Sequence, residues 1–292
     1  MTGTSKVVFI TGCSSGFGYH ASMELARRGH HVFASMREKD GRNAPKRDDL
    51  LGFAKDEGVL LDVVECNVNE TPSVEAAVKA VIDNAGHVDV LVNNAGYGIY
   101  GPVECFDEQA TWDAINTNLL GYIRAIRAVM PSMRERRSGH VINVSSVLGK
   151  LGLPIMGYYN ATKFAIEGLS EALLGEGYLF NIKVSVVNPH MFATNFAGTS
   201  MKVICEPKDS GEYENAFTTF LEKQSNLINP KSGPEEVARK IAWLVGKKNP
   251  PFRVPVGKNA RRDMFFARWM PPLRLQKIAA KLYGMGDVFK PA

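Results

Sequence analysis

The stretch Thr11-Gly-Cys-Ser-Ser-Gly16-Phe-Gly18 follows a short apolar run at 6–10 (KVVFI) and opens a segment with helical spacing at 18–28. Glycines in a turn between a strand and a helix let the backbone approach a pyrophosphate, whose charge then lies at the helix N-terminus. A glycine-rich turn without a ligand is the alternative interpretation. We predict a dinucleotide site that uses Gly12, Ser14, Ser15, Gly16, Phe17 and Gly18.

Strand-like and helix-like segments alternate beyond this turn. β-branched runs predict strands at 6–10, 31–34, 59–64, 88–92, 140–144, 183–187 and 252–256. Helical spacing predicts helices at 18–28, 48–57, 73–84, 109–135 (broken or bent), 159–180 and 234–246. This alternation indicates the α/β class, a doubly wound Rossmann-type parallel sheet with helices on both faces. We expect a single domain over 1–292, with a core at about 6–257, a lid at about 190–229 and an extension at 258–292.

The bulk composition limits the classes of protein. Of 292 residues, 45% are hydrophobic and 22% charged, which is typical of a globular chain, and the net charge is only +5. The basic cluster at 134–137 contains a glutamate, which favours a solvated face over a nucleic-acid site. No signal peptide and no apolar run of about 18 residues is evident. The four cysteines are far apart and lack the spacing of metal ligands: Cys13, Cys66, Cys105 and Cys205. We therefore expect a cytoplasmic protein with free thiols and no metal.

The end of the second predicted strand bears on the choice of dinucleotide. It reads Phe33-Ala-Ser35-Met-Arg37, with no acid before Glu38. An acid at this place binds a ribose 2′-hydroxyl, whereas an arginine accommodates a 2′-phosphate. Ser35 and Arg37 therefore favour NADP(H) over NAD(H). The alternative is that Arg37 is only a solvated loop arginine.

Tyr159 and Lys163 are separated by four residues in a predicted helix, so their side chains share one face. A cation beside the phenol would lower its pKa and make a general acid/base for an alcohol oxygen. A surface tyrosine beside a surface lysine is the alternative. Tyr158 is the weaker candidate, because it has Thr162 four residues later.

Together with Asn93-Asn-Ala-Gly96 and Ser146, thirteen residues before Tyr159, these motifs resemble the short-chain dehydrogenase/reductase family over about 6–257. The chain is more similar to the NADP-dependent hydroxysteroid and retinol dehydrogenase-like branch. The resemblance implies that Tyr159 exchanges a proton with the substrate oxygen and that Lys163 lowers its pKa and holds the nicotinamide ribose. It also implies that Ser146 hydrogen-bonds the substrate oxygen and that Asn118 holds a relay water, with Asn116 as the other candidate.

Further positions follow from the same resemblance. Asn94, Ala95 and Gly96 would lie beside the adenosine ribose, and Thr194 would contact the carboxamide. Asn67, followed by Val68, replaces the aspartate that family members often place at the adenine. The family's Pro-Gly after the sixth strand is replaced by Pro189-His190, and we expect His190 to line the pocket or turn outward. This set of expected cofactor contacts comprises Asn67, Val68, Asn94, Ala95, Gly96, Pro189 and Thr194.

The substrate should lie beyond the carboxyl ends of the strands. Three segments meet there, 97–105, 147–158 and 191–227, and their side chains are mostly apolar. This favours a bulky hydrophobic ketone or secondary alcohol. The candidate contacts, with Ser146 and Tyr159 at the reacting oxygen, are Tyr97, Leu148, Leu153, Met156, Phe192, Phe196 and Met201.

The segment 261–283 combines aromatic and basic side chains. Such a segment can lie on a membrane surface, but packing over the mouth of the active site or a subunit contact is the interpretation favoured here, so no membrane partner is expected. The family resemblance implies a homodimer or homotetramer through helices near 109–135 and 157–180.

The leading hypothesis is an NADP(H)-dependent carbonyl reductase or alcohol dehydrogenase. A non-catalytic NADP(H)-binding sensor on the same fold is the alternative, because a fold does not fix a function. An epimerase or dehydratase that uses the same tyrosine is a third possibility. The intact set Asn118, Ser146, Tyr159 and Lys163 favours the enzyme, since a sensor has no need of it.

Overall fold

A parallel sheet of seven strands lies at the centre of the computed structural model, which describes residues 4–192, 201–227 and 233–285. The order β3-β2-β1-β4-β6-β7-β9 reverses direction at β1 and β4, so the carboxyl ends of these two strands form the crevice where ligands of such sheets bind. The strands are β1 (Val7–Ile10), β2 (His31–Met36), β3 (Leu61–Glu65), β4 (Val90–Asn93), β6 (Gly139–Val144), β7 (Ile182–Pro189) and β9 (Arg253–Val256).

Helices cover both faces of this sheet. On one face, α1 (Gly16–Arg27), α2 (Ala44–Glu57) and α8 (Glu235–Val245) bury one core. On the other face, α3 (Thr71–Ala85), α5 (Gly121–Glu135) and α6 (Gly157–Tyr178) bury a second core. The strands are apolar on both sides because both sides are covered. The predicted fold class is confirmed.

The helix predicted at 109–135, with a break or bend, is interrupted near its middle by a turn of different geometry. It consists of α4 (Glu108–Ile115), a π-helical turn at Asn116–Leu120 and α5. A π turn inserts an extra residue and often marks a functional site. Here it places the side chain of Asn118 in the protein interior, where it is fully buried.

The region after Pro189 is more regular than the sequence indicates. A helix, α7 (Glu214–Leu227), lies where the sequence predicts irregular structure, and its Phe217 and Phe220 are fully buried. The ring of Phe220 stacks on Tyr283 with centroids 5.0 Å apart. The prediction missed α7 because its few apolar residues find their partners only in distant parts of the chain.

Short elements complete the carboxyl side of the sheet. A small parallel pair, β5 (Gly98–Tyr100) with β8 (Met201–Val203), stands apart from the main sheet. Two helices follow β9, namely α9 (Ala260–Trp269) and α10 (Pro272–Leu282). Within the described ranges, no helix combines the length and apolar character needed to cross a bilayer.

Candidate active site

The glycine-rich turn is held against the end of β4 by close backbone contacts. Gly12 has φ +74°, and a Cβ there would lie 2.7 Å from the Cα of Ala95. A Cβ on Gly18 would lie 2.5 Å from both the Asn94 amide nitrogen and the Gly12 oxygen. Only glycine fits these positions, so the turn can lie flat against β4 and leave space above α1. Gly18 has this packing role and does not line the cavity described below.

Asn94 and Thr11 connect the turn to β4. The Asn94 side chain donates to the carbonyl oxygens of Thr11 at 3.0 Å and Gly12 at 2.9 Å. The Thr11 hydroxyl in turn accepts from the backbone N–H groups of Asn94 and Ala95. Thr11 was not among the predicted site residues. Its position as the first residue after β1, beside a glycine, is the signal that could have identified it.

A polar cavity of about 600 Å³ opens above this turn and extends across the ends of β1 to β4 and β6. The N–H groups in the first turn of α1 have no partner within the helix and can therefore bind an anion. We call this space the cofactor cavity, because its glycine-rich turn suits the phosphates of a dinucleotide. Of the predicted cofactor residues it is lined by Gly12, Ser14, Ser15, Gly16, Phe17, Arg37, Asn67, Val68, Asn94, Ala95, Gly96, Tyr159 and Lys163.

Ser35 is the main exception among the predicted cofactor residues. It is fully buried and does not line the cofactor cavity, whereas its neighbour Met36 does. Met36 and Arg37, which follow Ser35 at the end of β2, both line the cavity, so Ser35 lies one residue short of the cavity wall. Thr194 lies outside the described residues, and Pro189 lines a different cavity.

The end of β2 presents a cation to the cofactor cavity. Arg37 is exposed and lines the cavity wall. The nearby carboxylate of Glu65 accepts the backbone N–H groups of Glu38 at 2.7 Å and Lys39 at 2.8 Å. Glu65 thereby fixes the loop after Arg37 and does not itself line the cavity. Among the described residues, therefore, the end of β2 offers an arginine rather than a carboxylate.

Tyr159 and Lys163 lie one turn apart on α6, as predicted from their spacing. The Lys163 Nζ is 5.7 Å from the centre of the Tyr159 ring and donates to the Val144 carbonyl oxygen at 3.0 Å. Ser146 hydrogen-bonds with the Tyr159 side chain. The Ser146 hydroxyl also accepts from the Leu148 N–H at 3.1 Å, which fixes the serine at the start of the following turn.

The pKa of Tyr159 differs from the sequence expectation. Burial raises it well above its ordinary value, and the hydrogen bond with Ser146 opposes this shift only in part. Burial lowers the pKa of Lys163 to about 8, and the charge of Glu167 acts in the opposite direction. Desolvation is the largest cause of the tyrosine shift, and Lys163 is not among its causes. Tyr159 is therefore a neutral phenol at neutral pH.

Asn118 is fully buried next to α6, the helix that carries Tyr159 and Lys163. Its amide donates to the Tyr97 carbonyl oxygen at 2.9 Å and accepts the Tyr97 N–H at 3.0 Å. Its nitrogen is also 3.5 Å from the Thr162 hydroxyl, which belongs to the same helix as Tyr159. Asn118 lines neither the cofactor cavity nor the apolar cavity that adjoins it. Its contacts fix the segment after β4 against α6.

A second cavity of about 630 Å³ adjoins the first and is mostly apolar. Phe17, Ser145 and Tyr159 line both cavities, whereas Lys163 lines only the cofactor cavity and Ser146 only the apolar one. The phenol thus stands at the junction. Of the predicted substrate contacts the apolar cavity is lined by Ser146, Leu148, Leu153, Met156, Tyr159 and Phe192.

Two predicted substrate contacts are not in the wall of the apolar cavity. Tyr97 and Met201 line the cofactor cavity instead, because β5 and β8 place them on that side. Phe196 lies outside the described residues. A further part of this wall comes from α9, α10 and the residues that directly follow them. These residues were not among the predicted substrate contacts: Phe266, Met270, Leu275, Ile278, Leu282 and Tyr283.

His190 lines the apolar cavity and connects β7 to α9. Its Nε2 is 3.0 Å from the Asp263 carboxylate, whose other oxygen accepts from Arg262 at 2.9 Å. A Cβ on Gly257 would lie 3.4 Å from the Cβ of His190, so β9 also packs closely against this residue. His190 therefore shapes the wall, as expected, and in addition anchors the C-terminal helices.

Glu167 is a buried carboxylate behind the candidate site, on the same face of α6 as Tyr159 and Lys163. One oxygen accepts from the Asn188 amide at 2.6 Å, and the other accepts from Arg253 at 2.8 Å. The Asn188 amide also donates to the carbonyl oxygen of Ser146 at 3.0 Å. Glu167 is thereby linked to the backbone that carries the Ser146 hydroxyl.

Glu167 and Glu171 form a matched pair for a stability measurement. Both contact Arg253 and Lys150, but the Glu167 side chain is 2% exposed and that of Glu171 is 54% exposed. We expect Glu167→Ala to lower the free energy of unfolding by about 3 kcal/mol, because it removes a buried carboxylate that pairs with Arg253 and accepts from the buried Asn188 amide. Glu171→Ala should cost less than about 1 kcal/mol. Urea unfolding of both variants measures the difference, and equal losses would contradict a structural role for the buried carboxylate.

Comparison with known proteins identifies the family. The model of the family described as short chain dehydrogenase matches residues 6–202. The chain therefore belongs to the short-chain dehydrogenase/reductase family of oxidoreductases, and its curated relatives include members of the retinol and hydroxysteroid dehydrogenase branch.

Three relatives cover most of the chain. The chain is 37% identical to a 3-ketodihydrosphingosine reductase of Bacteroides thetaiotaomicron, over 93% of this chain and 95% of that protein. It is 34% identical to retinol dehydrogenase 8 of Bos taurus, over 87% of this chain and 82% of that protein. It is 40% identical to estradiol 17-beta-dehydrogenase 1 of Rattus norvegicus, over 85% of this chain and 73% of that protein.

Solved structures show the same fold. A short-chain dehydrogenase from Streptomyces avermitilis is 30% identical with a TM-score of 0.78, over 98% of both chains. A variant of actinorhodin polyketide ketoreductase, solved with NADPH, is 28% identical with a TM-score of 0.73, over 88% of this chain and 97% of that one.

Proposed function

We propose that the protein is an NADP(H)-dependent oxidoreductase that interconverts a hydrophobic ketone and the corresponding secondary alcohol, with Tyr159 as general acid/base. The observation that carries this proposal is the position of Tyr159, which lines both the cofactor cavity and the apolar cavity. A proton donor is useful only where the substrate oxygen meets the hydride donor, and this junction is such a place.

The cofactor cavity supports NADP(H) as the dinucleotide. The turn at Gly12 to Gly18 suits the pyrophosphate, Asn67 and Val68 suit the adenine, and Lys163 suits the nicotinamide ribose. Arg37 lies where a 2′-phosphate would need a cation. The related actinorhodin ketoreductase, solved with NADPH, supports the same choice.

The cofactor and the residues around Tyr159 have different roles in the proposed reaction. Bound NADPH supplies the hydride. The neutral Tyr159 phenol gives its proton to the carbonyl oxygen, while the Ser146 hydroxyl holds that oxygen in place. The Lys163 ammonium, 5.7 Å from the ring, stabilises the phenolate that remains. Asn118, through Tyr97 and Thr162, keeps the supporting segments in position.

The apolar cavity favours a bulky substrate. Its wall carries leucine, methionine and phenylalanine side chains, with polar groups mainly near Tyr159 and around His190. The names of the relatives, a 3-ketodihydrosphingosine reductase and a retinol dehydrogenase, refer to long or bulky apolar compounds. NADPH oxidation should be measured with long-chain 3-ketones, steroid ketones, retinal and small ketoacids. A preference for small ketoacids would contradict the proposed substrate class.

The choice between NADP(H) and NAD(H) is tested by Arg37→Ala. The variant should bind NADPH about tenfold more weakly and NADH with unchanged affinity, because only NADPH carries the phosphate that an arginine can pair with. Nucleotide fluorescence titration gives both dissociation constants without a substrate. Arg42→Ala, a change at another exposed arginine of the same loop, is the control. Tighter binding of NADH than NADPH by the unchanged protein would overturn the assignment.

A non-catalytic NADP(H) sensor is the alternative function. The Ser146–Tyr159 hydrogen bond and the position of Lys163 at the cofactor cavity favour an enzyme. NADPH binding without oxidation of NADPH by any ketone or aldehyde in the same screen would favour the sensor.

We further propose that the chain works as one catalytic domain in the cytoplasm, as a homodimer or homotetramer. Exposed apolar side chains on α4 and α6 support the association, because such residues favour contact with another subunit. Sedimentation measures the oligomeric state. These side chains are Trp112, Phe164, Leu174, Tyr178 and Leu179.

A further inference from the structure

The helices α9 and α10 present two different faces. Inward, α10 buries Ala279, Ala280 and Tyr283 below the apolar cavity. Outward, both helices expose large apolar residues, and Trp269 is 68% exposed. A helical pair that covered the cavity and nothing else would be polar on its outer side. The exposed apolar residues are Phe265, Phe266, Trp269, Leu273, Ile278 and Leu282.

Basic side chains surround these apolar residues. Six of the chain's 35 basic residues and one of its 30 acidic residues lie between 261 and 283, which leaves 29 of each in the rest of the chain. The whole net charge of +5 therefore equals the excess of this one segment. Its single acid, Asp263, is paired with His190 and Arg262. The exposed basic residues are Arg261, Arg262, Arg268, Arg274, Lys277 and Lys281.

The outer face of α9 and α10 also borders the opening of the apolar cavity. Phe266, Ile278 and Leu282 are exposed and at the same time line that cavity. A surface pressed against this face would therefore lie at the mouth of the cavity. Two copies of the protein would repel each other here, because both would bring the same positive charge.

We propose that the outer face of α9 and α10 docks on an anionic phospholipid bilayer. Interfacial helices of this kind insert aromatic and aliphatic side chains between headgroups, while arginine and lysine bind the lipid phosphates. The helices lie on the membrane and do not cross it. The interpretation that α9 and α10 pack over the cavity remains valid, because the inner face does this and the outer face stays free.

Flotation of the full chain with vesicles tests docking without any need for turnover or cofactor. We expect the protein to float with vesicles that contain phosphatidylserine and not with pure phosphatidylcholine, and to be released by salt, since salt screens exposed charges beyond about 8 Å. The double variant Trp269→Ser/Leu273→Ser should reduce the bound fraction about tenfold. Arg268→Glu/Lys277→Glu should do the same.

Matched variants and a second readout keep the test decisive. Leu51→Ser/Leu60→Ser removes exposed apolar residues in and beside α2, and Lys55→Glu/Lys248→Glu makes the same charge change elsewhere; both should float like the unchanged protein. Circular dichroism confirms that each variant is folded. Absence of flotation with phosphatidylserine overturns the proposal. It is also overturned if Trp269→Ser/Leu273→Ser dissociates an oligomer and leaves flotation unchanged, because the face would then be a subunit contact.

Discussion

Tyr159→Phe is expected to reduce the turnover of ketones by about 10³-fold or more and to leave NADPH binding close to that of the unchanged protein. General acid catalysis contributes about 10² to 10⁴-fold in enzymes, and loss of the phenol also removes one of the two hydroxyls beside the substrate oxygen. Tyr159 is 6% exposed, and its ring keeps its packing in the variant. Turnover is measured with the best ketone of the substrate screen, and NADPH affinity by fluorescence.

The neighbouring tyrosine supplies the control for this experiment. Tyr158 packs its ring against Phe106, with centroids 4.5 Å apart, and does not line either cavity. Tyr158→Phe keeps this ring contact and should be as active as the unchanged protein. A Tyr159→Phe variant with nearly unchanged turnover would refute the proposed proton transfer. Equal loss in both variants would indicate a general disturbance of α6.

Lys163→Met is expected to abolish activity and at the same time to stabilise the protein. Burial lowers the pKa of Lys163 from 10.5 to about 8, so folding at pH 7 must desolvate an ammonium group. At 1.36 kcal/mol for each pKa unit, the cost is about 3 kcal/mol. Methionine fills a similar volume without this cost, and the Val144 carbonyl oxygen keeps its hydrogen bond from Tyr122. The Tm should rise by about 5 °C.

The pH dependence makes this stability prediction specific. The pKa of Lys163 is lower in the folded state, so between pH 8 and 10.5 the unfolded chain binds more protons and stability increases with pH. The cost of the lysine is therefore complete below pH 8 and disappears near pH 10.5. The advantage of Lys163→Met in urea unfolding should shrink over the same interval. A variant less stable than the unchanged protein at pH 7 would show that Lys163 is not strained by burial.

The sequence predicted those parts of the site that depend on local spacing. Tyr159 and Lys163 meet because four residues make about one helical turn, and Gly12 to Gly18 form a cradle because each close contact there requires a glycine. The seven strands of the sheet were found because each is a short apolar run. Such features are determined by residues that are close together in the sequence, so they can be predicted without knowledge of distant contacts.

Features that depend on distant contacts were missed. His190 meets Asp263 across 73 residues, and Gln224 of α7 donates to the hydroxyl of Tyr100 across 124 residues. Ser35 was assigned to the cofactor because it lies near Arg37 at the end of β2, but it is fully buried and Met36 lines the cavity instead. The pKa of Tyr159 was predicted from one neighbour, whereas burial, which only the folded chain determines, is the larger cause.

The two cavities differ in how far along the chain their walls extend. The cofactor cavity is built from residues up to Lys202, whereas α9 and α10, which lie beyond the match to the family at 6–202, close the apolar one. The part of the apolar wall that α9 and α10 supply therefore follows all the residues of the cofactor cavity in the chain, and a chimera joined near Gly257 could change that part and leave the cofactor cavity as it is. Recombination at that point, in nature or in the laboratory, would exchange α9 and α10 and so alter the apolar cavity in a single step.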